Sequence, residues 1–179
     1  MLAFSEEFVS NLDSGQDWEK YLFSWLRTKG CYTITTHQYG LLDEAPYIHC
    51  PDGTKLPQPD GMISYKSELS FIEVKHKTEY LVRDYPILKT GLDLISFRNM
   101  QRIKDITGIP VWLYFIHTGG EEENRFILAQ EIDELPAPER SFTDSTSDSQ
   151  LAVWPISVFK NKGSSDKLLE FAFEQLAEQ

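Results

Sequence analysis

The sequence predicts an α/β fold, on three observations. Apolar residues recur at helical spacing in two stretches, Gln16 to Lys29 and Gly91 to Gly108. Strand-forming residues fill Asp60 to Lys66, Leu69 to Lys77 and the nearly unbroken apolar run Ile109 to His117. The order strand, helix, buried strand implies a right-handed crossover that leaves the two strands parallel.

Taken in order, a short helix is expected over Ser5 to Leu12. The helix Gln16 to Lys29 buries Trp18, Tyr21, Leu22, Trp25 and Leu26 and stops at Gly30. Glu19 falls at the edge of that apolar face. Cys31 to Tyr39 is rich in β-branched and aromatic residues and reads as a strand. Gly40 to Leu56, with Pro46, Pro51 and Gly53, reads as loop. The strands Asp60–Lys66 and Leu69–Lys77 form a hairpin turning at Ser67, which sets Asp60 opposite Lys75 with Glu73 diagonal to it. In the second helix Leu92, Ile95, Met100, Ile103 and Ile106 form the apolar stripe, and Arg98, Gln101, Arg102 and Lys104 lie off it. A further strand is expected over Arg125 to Gln130. Asp133 to Gln150 has the composition of an exposed loop. Leu151 to Phe159 reads as a strand that Pro155 confines to a sheet edge. A capped helix closes the chain. One domain covers residues 1–179, with a core at about 16–131, the acidic loop at 133–150 and a strand and helix at 151–179.

Composition narrows the functions. No apolar run is long enough to span a bilayer, and the N-terminus lacks the pattern of a signal peptide. The two cysteines, Cys31 and Cys50, have no metal-binding spacing, so a reducing, cytoplasmic setting is expected. The net charge of −11 argues against a bulk polyanion binder. Its distribution weakens that objection. Lys66 to Lys104 holds eight Lys/Arg against five Asp/Glu, and Glu121 to Ser149 holds nine Asp/Glu against two Arg. The middle of the chain can therefore present a basic surface while the acidity stays in one later stretch.

The stretch carrying chemistry is Gln58 to Lys77. Residues i and i+2 on a strand share a face, so Glu73 and Lys75 do. The hairpin brings Asp60 to that face. Two neighbouring carboxylates form a hard-oxygen site suited to Mg²⁺ or Mn²⁺. A lysine beside them can orient a water and stabilise an over-charged phosphate. A bare Glu-x-Lys is usually an exposed ion pair on an amphipathic strand. The preceding Pro59-Asp60, the hairpin spacing and the following crossover helix distinguish this one. Lys77 lies on the Lys75 face and could touch phosphate. His76 faces the other way. His37 and His117 sit near strand ends, and one histidine at each place argues against zinc ligation. Gly119-Gly120 lacks the flanks of a phosphate loop. Trp18, Trp25, Trp112 and Trp154 read as core.

Pro59-Asp60 followed by Glu73-Val74-Lys75 resembles the PD-(D/E)XK nuclease superfamily. The resemblance includes the element order and covers about Asp17 to His117. It implies a restriction-endonuclease-like αβββαβ core, a mixed central sheet flanked by helices. It implies a metal-dependent DNA nuclease in which Asp60, Glu73 and the Val74 carbonyl hold Mg²⁺ or Mn²⁺ and Lys75 serves the attacking water, leaving a 5′-phosphate. Several members add a glutamate from the first helix, for which Glu19 is the match. Many place a glutamine on the later helix, for which Gln101 is the match. The tyrosine that follows it in the RecB-like branch is replaced by Asp105. "TGLDLISFRNMQRIKDITGIPVWLYFIH" (Thr90 to His117) is similar to a segment of small phage and bacterial members. Two alternatives stay open: a catalytically silent nuclease fold that binds nucleic acid or a protein, and a dimeric, structure-specific resolvase of the Holliday-junction type. The expected partners are DNA, a second copy of the chain, and a protein meeting the acidic loop.

Overall fold

The computed structural model describes residues 15–35, 47–77, 88–118, 126–142 and 150–164. Helix α1 (Gly15–Thr28) leads into β1 (Tyr32–Thr35), and a small hairpin of β2 (Tyr47–His49) and β3 (Lys55–Pro57) follows. Next come β4 (Gly61–Tyr65), β5 (Glu68–Lys77), β6 (Lys89–Asp93), α2 (Leu94–Thr107), β7 (Val111–His117) and β8 (Phe126–Glu131). The last described strands are β9 (Glu139–Phe142), β10 (Gln150–Pro155) and β11 (Asn161–Ser164). The main sheet has six strands in the order β1-β4-β5-β7-β8-β11. The β5–β7 pairing is parallel and its other pairings are antiparallel, so the sheet is mixed. The crossover through α2 that joins β5 to β7 is the one the apolar periodicities imply.

Strand alternation sorts the core into two layers. Ile72 and Val74 of β5, with Ile116 and Ile127, pack under Trp18, Tyr21, Leu22, Phe23 and Leu26 of α1. Phe71, Leu113, Phe115 and Leu128 point to the opposite face, where α2 buries Leu94, Phe97, Met100 and Ile103. On that second face lies a three-stranded sheet in the order β6-β10-β9. Trp154 of β10 packs edge-on against Phe97 and donates its indole N–H to the Pro136 carbonyl at 2.9 Å. The two faces thus put α1 on one side of the sheet and α2 on the other.

Several expectations are corrected. The loop over Gly40 to Leu56 contains the β2–β3 hairpin, whose three-residue strands are too short to show a period. Gly91 to Asp93 belong to strand β6, and α2 begins only at Leu94. Leu92 is buried from the strand, Leu94 and Phe97 complete the helix stripe, and Ile95 and Ile106 are exposed. Leu151 to Pro155 form the middle strand of the second sheet rather than an edge, with Pro155 tolerated as its last residue. The acidic segment is partly built structure. Its Glu139–Phe142 pairs with β10, and Asp133 and Glu134 form ion pairs with Lys104 and Lys160. Residues 143–149, the helices expected over Ser5–Leu12 and at the C-terminus, the end of the first expected strand, His37 and Gly119-Gly120 lie outside the described residues.

Gly61 is required by packing. A Cβ there would lie 2.4 Å from Cζ of Phe23 and 2.6 Å from the main-chain oxygen of Ile34. The ring can shift, but the β1 backbone cannot without breaking its pairing. Gly61→Ala should therefore cost about 1–3 kcal/mol, the usual scale of overpacking. A urea midpoint equal to that of the wild type would show that α1 is not seated as described.

His117 is 1 % exposed, shares a 2.9 Å hydrogen bond between its Nε2 and Thr90 Oγ1, and is held neutral. Burial first, then the nearby Lys77 and His76, lower its pKa to about 4. An unfolded histidine takes up its proton near pH 6.5, so this residue's contribution is complete above that value. It is lost as pH falls toward 4, to the extent of about 3 kcal/mol. Melting temperatures of the wild type and His117→Gln, followed from pH 7 to pH 4, should converge over that window. Parallel profiles would contradict a neutral buried imidazole.

Candidate active site

The β4–β5 hairpin builds the site. Its turn is two residues, Lys66 and Ser67, both with positive φ (49° and 69°), as hairpins of this length require. The pairing runs from Tyr65 opposite Glu68 to Gly61 opposite Ile72. Continued by one residue, it sets Asp60 opposite Glu73, with Lys75 as the diagonal neighbour. The register expected from a turn at Ser67, Asp60 opposite Lys75, is thus corrected by one step in the position of the turn.

Asp60 and Glu73 are both buried, 7 % and 6 % exposed. Two devices hold them. The Val74 N–H donates to Asp60 Oδ2 at 2.6 Å, and Lys75 Nζ lies 2.6 Å from Glu73 Oε1. The Phe71 N–H bonds to the Pro110 carbonyl on the β7 side, so odd-numbered residues of β5 direct their backbone groups toward β7 and even-numbered ones toward β4. Amide and carbonyl of one strand residue point the same way. The Val74 carbonyl therefore faces the Asp60 side, as a ligand role would require.

β4 ends at Gly61, so beyond Ile72 no described strand flanks β5 on that edge. Glu19 acts on Glu73 and Lys75 through its charge, although α1 packs on the opposite face. Burial, with the like charge of Glu73 added, raises its pKa to about 7 against the opposing pull of Lys75. Burial alone would lower the Lys75 pKa, but Glu73, Asp60 and Glu19 together raise it, so the ammonium stays charged. Glu19, Asp60, Glu73 and Lys75 thus form one electrostatic unit.

Gln101 is exposed on α2, with no described hydrogen bond to this unit. His76 stacks on Trp18 at 4.9 Å and contacts Thr118 Oγ1, on the face away from the carboxylates. Of the basic residues between Lys66 and Lys104, Lys89, Arg102 and Lys104 are engaged by Glu139, Asp52 and Asp133. The free basic surface is smaller than the sequence count. Trp18 and Trp154 are buried, while Trp25 and Trp112 are half-buried.

The donor set fits a hard divalent cation. Three acids against one ammonium leave excess negative charge in a poorly solvated place, and all the donors are oxygen. Among the described residues no three His, Cys, Asp or Glu side chains are placed to hold a metal ion together, so the carboxylates at hand are the pair Asp60 and Glu73. An open site of two carboxylates is what Mg²⁺ uses, because it keeps several waters and completes its shell with substrate phosphate.

The sequence matches no family model and no curated protein. Among solved structures the fold is similar to Hjc, a Holliday junction resolvase from Archaeoglobus fulgidus. The TM-score is 0.50 and the identity 14 %, over 86 % of this chain and 98 % of that one. D212, a nuclease from a fusselovirus, is also similar, with TM-score 0.40 and 14 % identity over 99 % of this chain and 98 % of that one. With its mixed sheet between α1 and α2, the chain has a restriction-endonuclease-like fold.

Proposed function

We propose that the protein is a metal-dependent DNA nuclease of the PD-(D/E)XK kind. The observation that carries this reading is the buried pair Asp60 and Glu73, fixed side by side at the end of the β4–β5 hairpin with Lys75 against Glu73. Asp60, Glu73 and the Val74 carbonyl would hold Mg²⁺ or Mn²⁺, with Glu19 acting on the site through its charge from α1. A bound ion of this type polarises a phosphoryl oxygen and makes its water more acidic. The chain's own groups do the rest. Lys75, charged and partly exposed, orients the attacking water and balances the charge that builds on the phosphate. Glu19, poised near pH 7, is drawn to its charged form by a neighbouring cation. Gln101 would meet substrate only from the exposed side of α2.

A junction-resolving enzyme is a second reading of the same site, favoured by the likeness to a fold described as a Holliday junction resolvase. It would require two copies of the chain. Cleavage of supercoiled plasmid, linear duplex, circular single strands and a synthetic four-way junction, each with Mg²⁺ or with EDTA, tests both. Mg²⁺-dependent breakage of any substrate supports the nuclease reading, and symmetrical nicking of the junction alone selects the resolvase. Intact substrates throughout would leave a catalytically silent nuclease fold.

A further inference from the structure

Lys77 stands two residues beyond Lys75 on β5, on the same face and about 7 Å along the strand. That spacing is of the order of the separation between consecutive phosphates on one nucleic-acid strand. Its surroundings come from three elements. In the β5–β7 register it lies directly beside His117, which is buried and tied to Thr90 of β6. β6 ends at Asp93, the residue before the first turn of α2, and the Asp93 side chain does not cap that helix. Instead its charge acts on Lys77. Among the described residues the Lys77 ammonium makes no hydrogen bond or ion pair, and its main-chain carbonyl accepts the Thr118 N–H at 3.1 Å.

Among the described residues the result is a half-buried ammonium next to a second ammonium, with one exposed acid, Asp93, in range. Burial, then Lys75, disfavour the Lys77 charge, and Asp93 only partly offsets them. The neighbour on its other side, His117, is neutral and offers no counter-charge. An anion beside Lys77 would relieve the repulsion, and the position lies about 7 Å along β5 from Lys75, the group that would serve the cleaved phosphate.

We infer that Lys77 grips a second phosphate of the same nucleic-acid strand, next to the one cleaved, and that Asp93 competes with that phosphate for it. The inference rests on the nuclease reading of the site. It assigns Lys77 to substrate positioning and Asp93 to restraining affinity.

Fluorescence anisotropy with a labelled duplex and its single strand, without divalent ions and across a salt series, tests it. Lys77→Met keeps the half-buried stem packed and removes the charge. It should weaken binding about threefold to tenfold at 50 mM salt and reduce the slope of log affinity against log salt by about 0.9 for duplex or 0.7 for single strand. Lys77→Arg should keep the slope, and Asp93→Asn should tighten binding. In cleavage assays Lys77→Met should raise KM with kcat nearly unchanged, because the contact is the same in ground and transition states. A wild-type salt slope in Lys77→Met, or weaker binding by Asp93→Asn, overturns the inference. Glu73→Gln separates this failure from the larger one. If Glu73→Gln is inactive while Lys77→Met binds like wild type, only the second phosphate site is wrong. If Glu73→Gln cleaves like wild type, the nuclease reading itself fails.

Discussion

Glu73→Gln and Asp60→Asn are each expected to abolish divalent-cation-supported cleavage while leaving the protein folded. Both substitutions keep the shape of the side chain and remove its charge. At Asp60 the amide oxygen can still accept the Val74 N–H, so the bond that fixes the end of the hairpin survives. At Glu73 the amide still reaches Lys75, whose charge remains balanced by Asp60 and Glu19. What disappears is one of the two charged oxygens on which the proposed metal site relies, and an open site with two carboxylates would have no spare. Melting curves and far-ultraviolet circular dichroism should stay close to wild type. Rates should fall to background with Mg²⁺ and with Mn²⁺. Substantial cleavage by both variants would move the metal site elsewhere.

Lys75→Ala is expected to lose about two to three orders of magnitude in rate, the scale of removing one preorganised charge from a transition state. The loss should appear in kcat, because the attacking water and the developing charge on the phosphate exist only during the chemical step. Metal binding should survive, since an ammonium is not a ligand. Lys75→Arg should not restore the rate. Its planar guanidinium cannot occupy the compact position of an ammonium 2.6 Å from Glu73 Oε1. Single-turnover cleavage at saturating metal separates these outcomes, and a wild-type rate in Lys75→Ala would make Lys75 a structural residue.

The placement of Asp60, Glu73 and Lys75 together was legible because its logic is local. Glu73 and Lys75 share a face by strand alternation, and one short hairpin carries Asp60 to them. The error of one step in the turn has a local cause too. Lys66 and Ser67 adopt left-handed conformations without the Asn or Gly that usually announces such a turn. Glu19 was legible only as an edge residue on α1. That its charge acts on Glu73 and Lys75 has no signature along the chain.

What stayed hidden is non-local. Gly91 to Asp93 extend the helical pattern, yet they form a strand because β10 pairs with them. A Cβ on Gly91 would lie 2.2 Å from the Ala152 carbonyl oxygen, an approach only glycine permits. The same pairing makes Leu151 to Pro155 a central strand, against the bias that Pro155 sets locally. The juxtaposition of Lys77, His117 and Asp93 joins three elements and has no signature along the chain.

The most direct measurement is a calorimetric titration of Mn²⁺ into the wild type, Asp60→Asn, Glu73→Gln and Lys75→Ala. A metal centre built on the two buried carboxylates predicts binding by the wild type and by Lys75→Ala, and its loss in both acid variants. Unchanged Mn²⁺ affinity in Asp60→Asn and Glu73→Gln would contradict it.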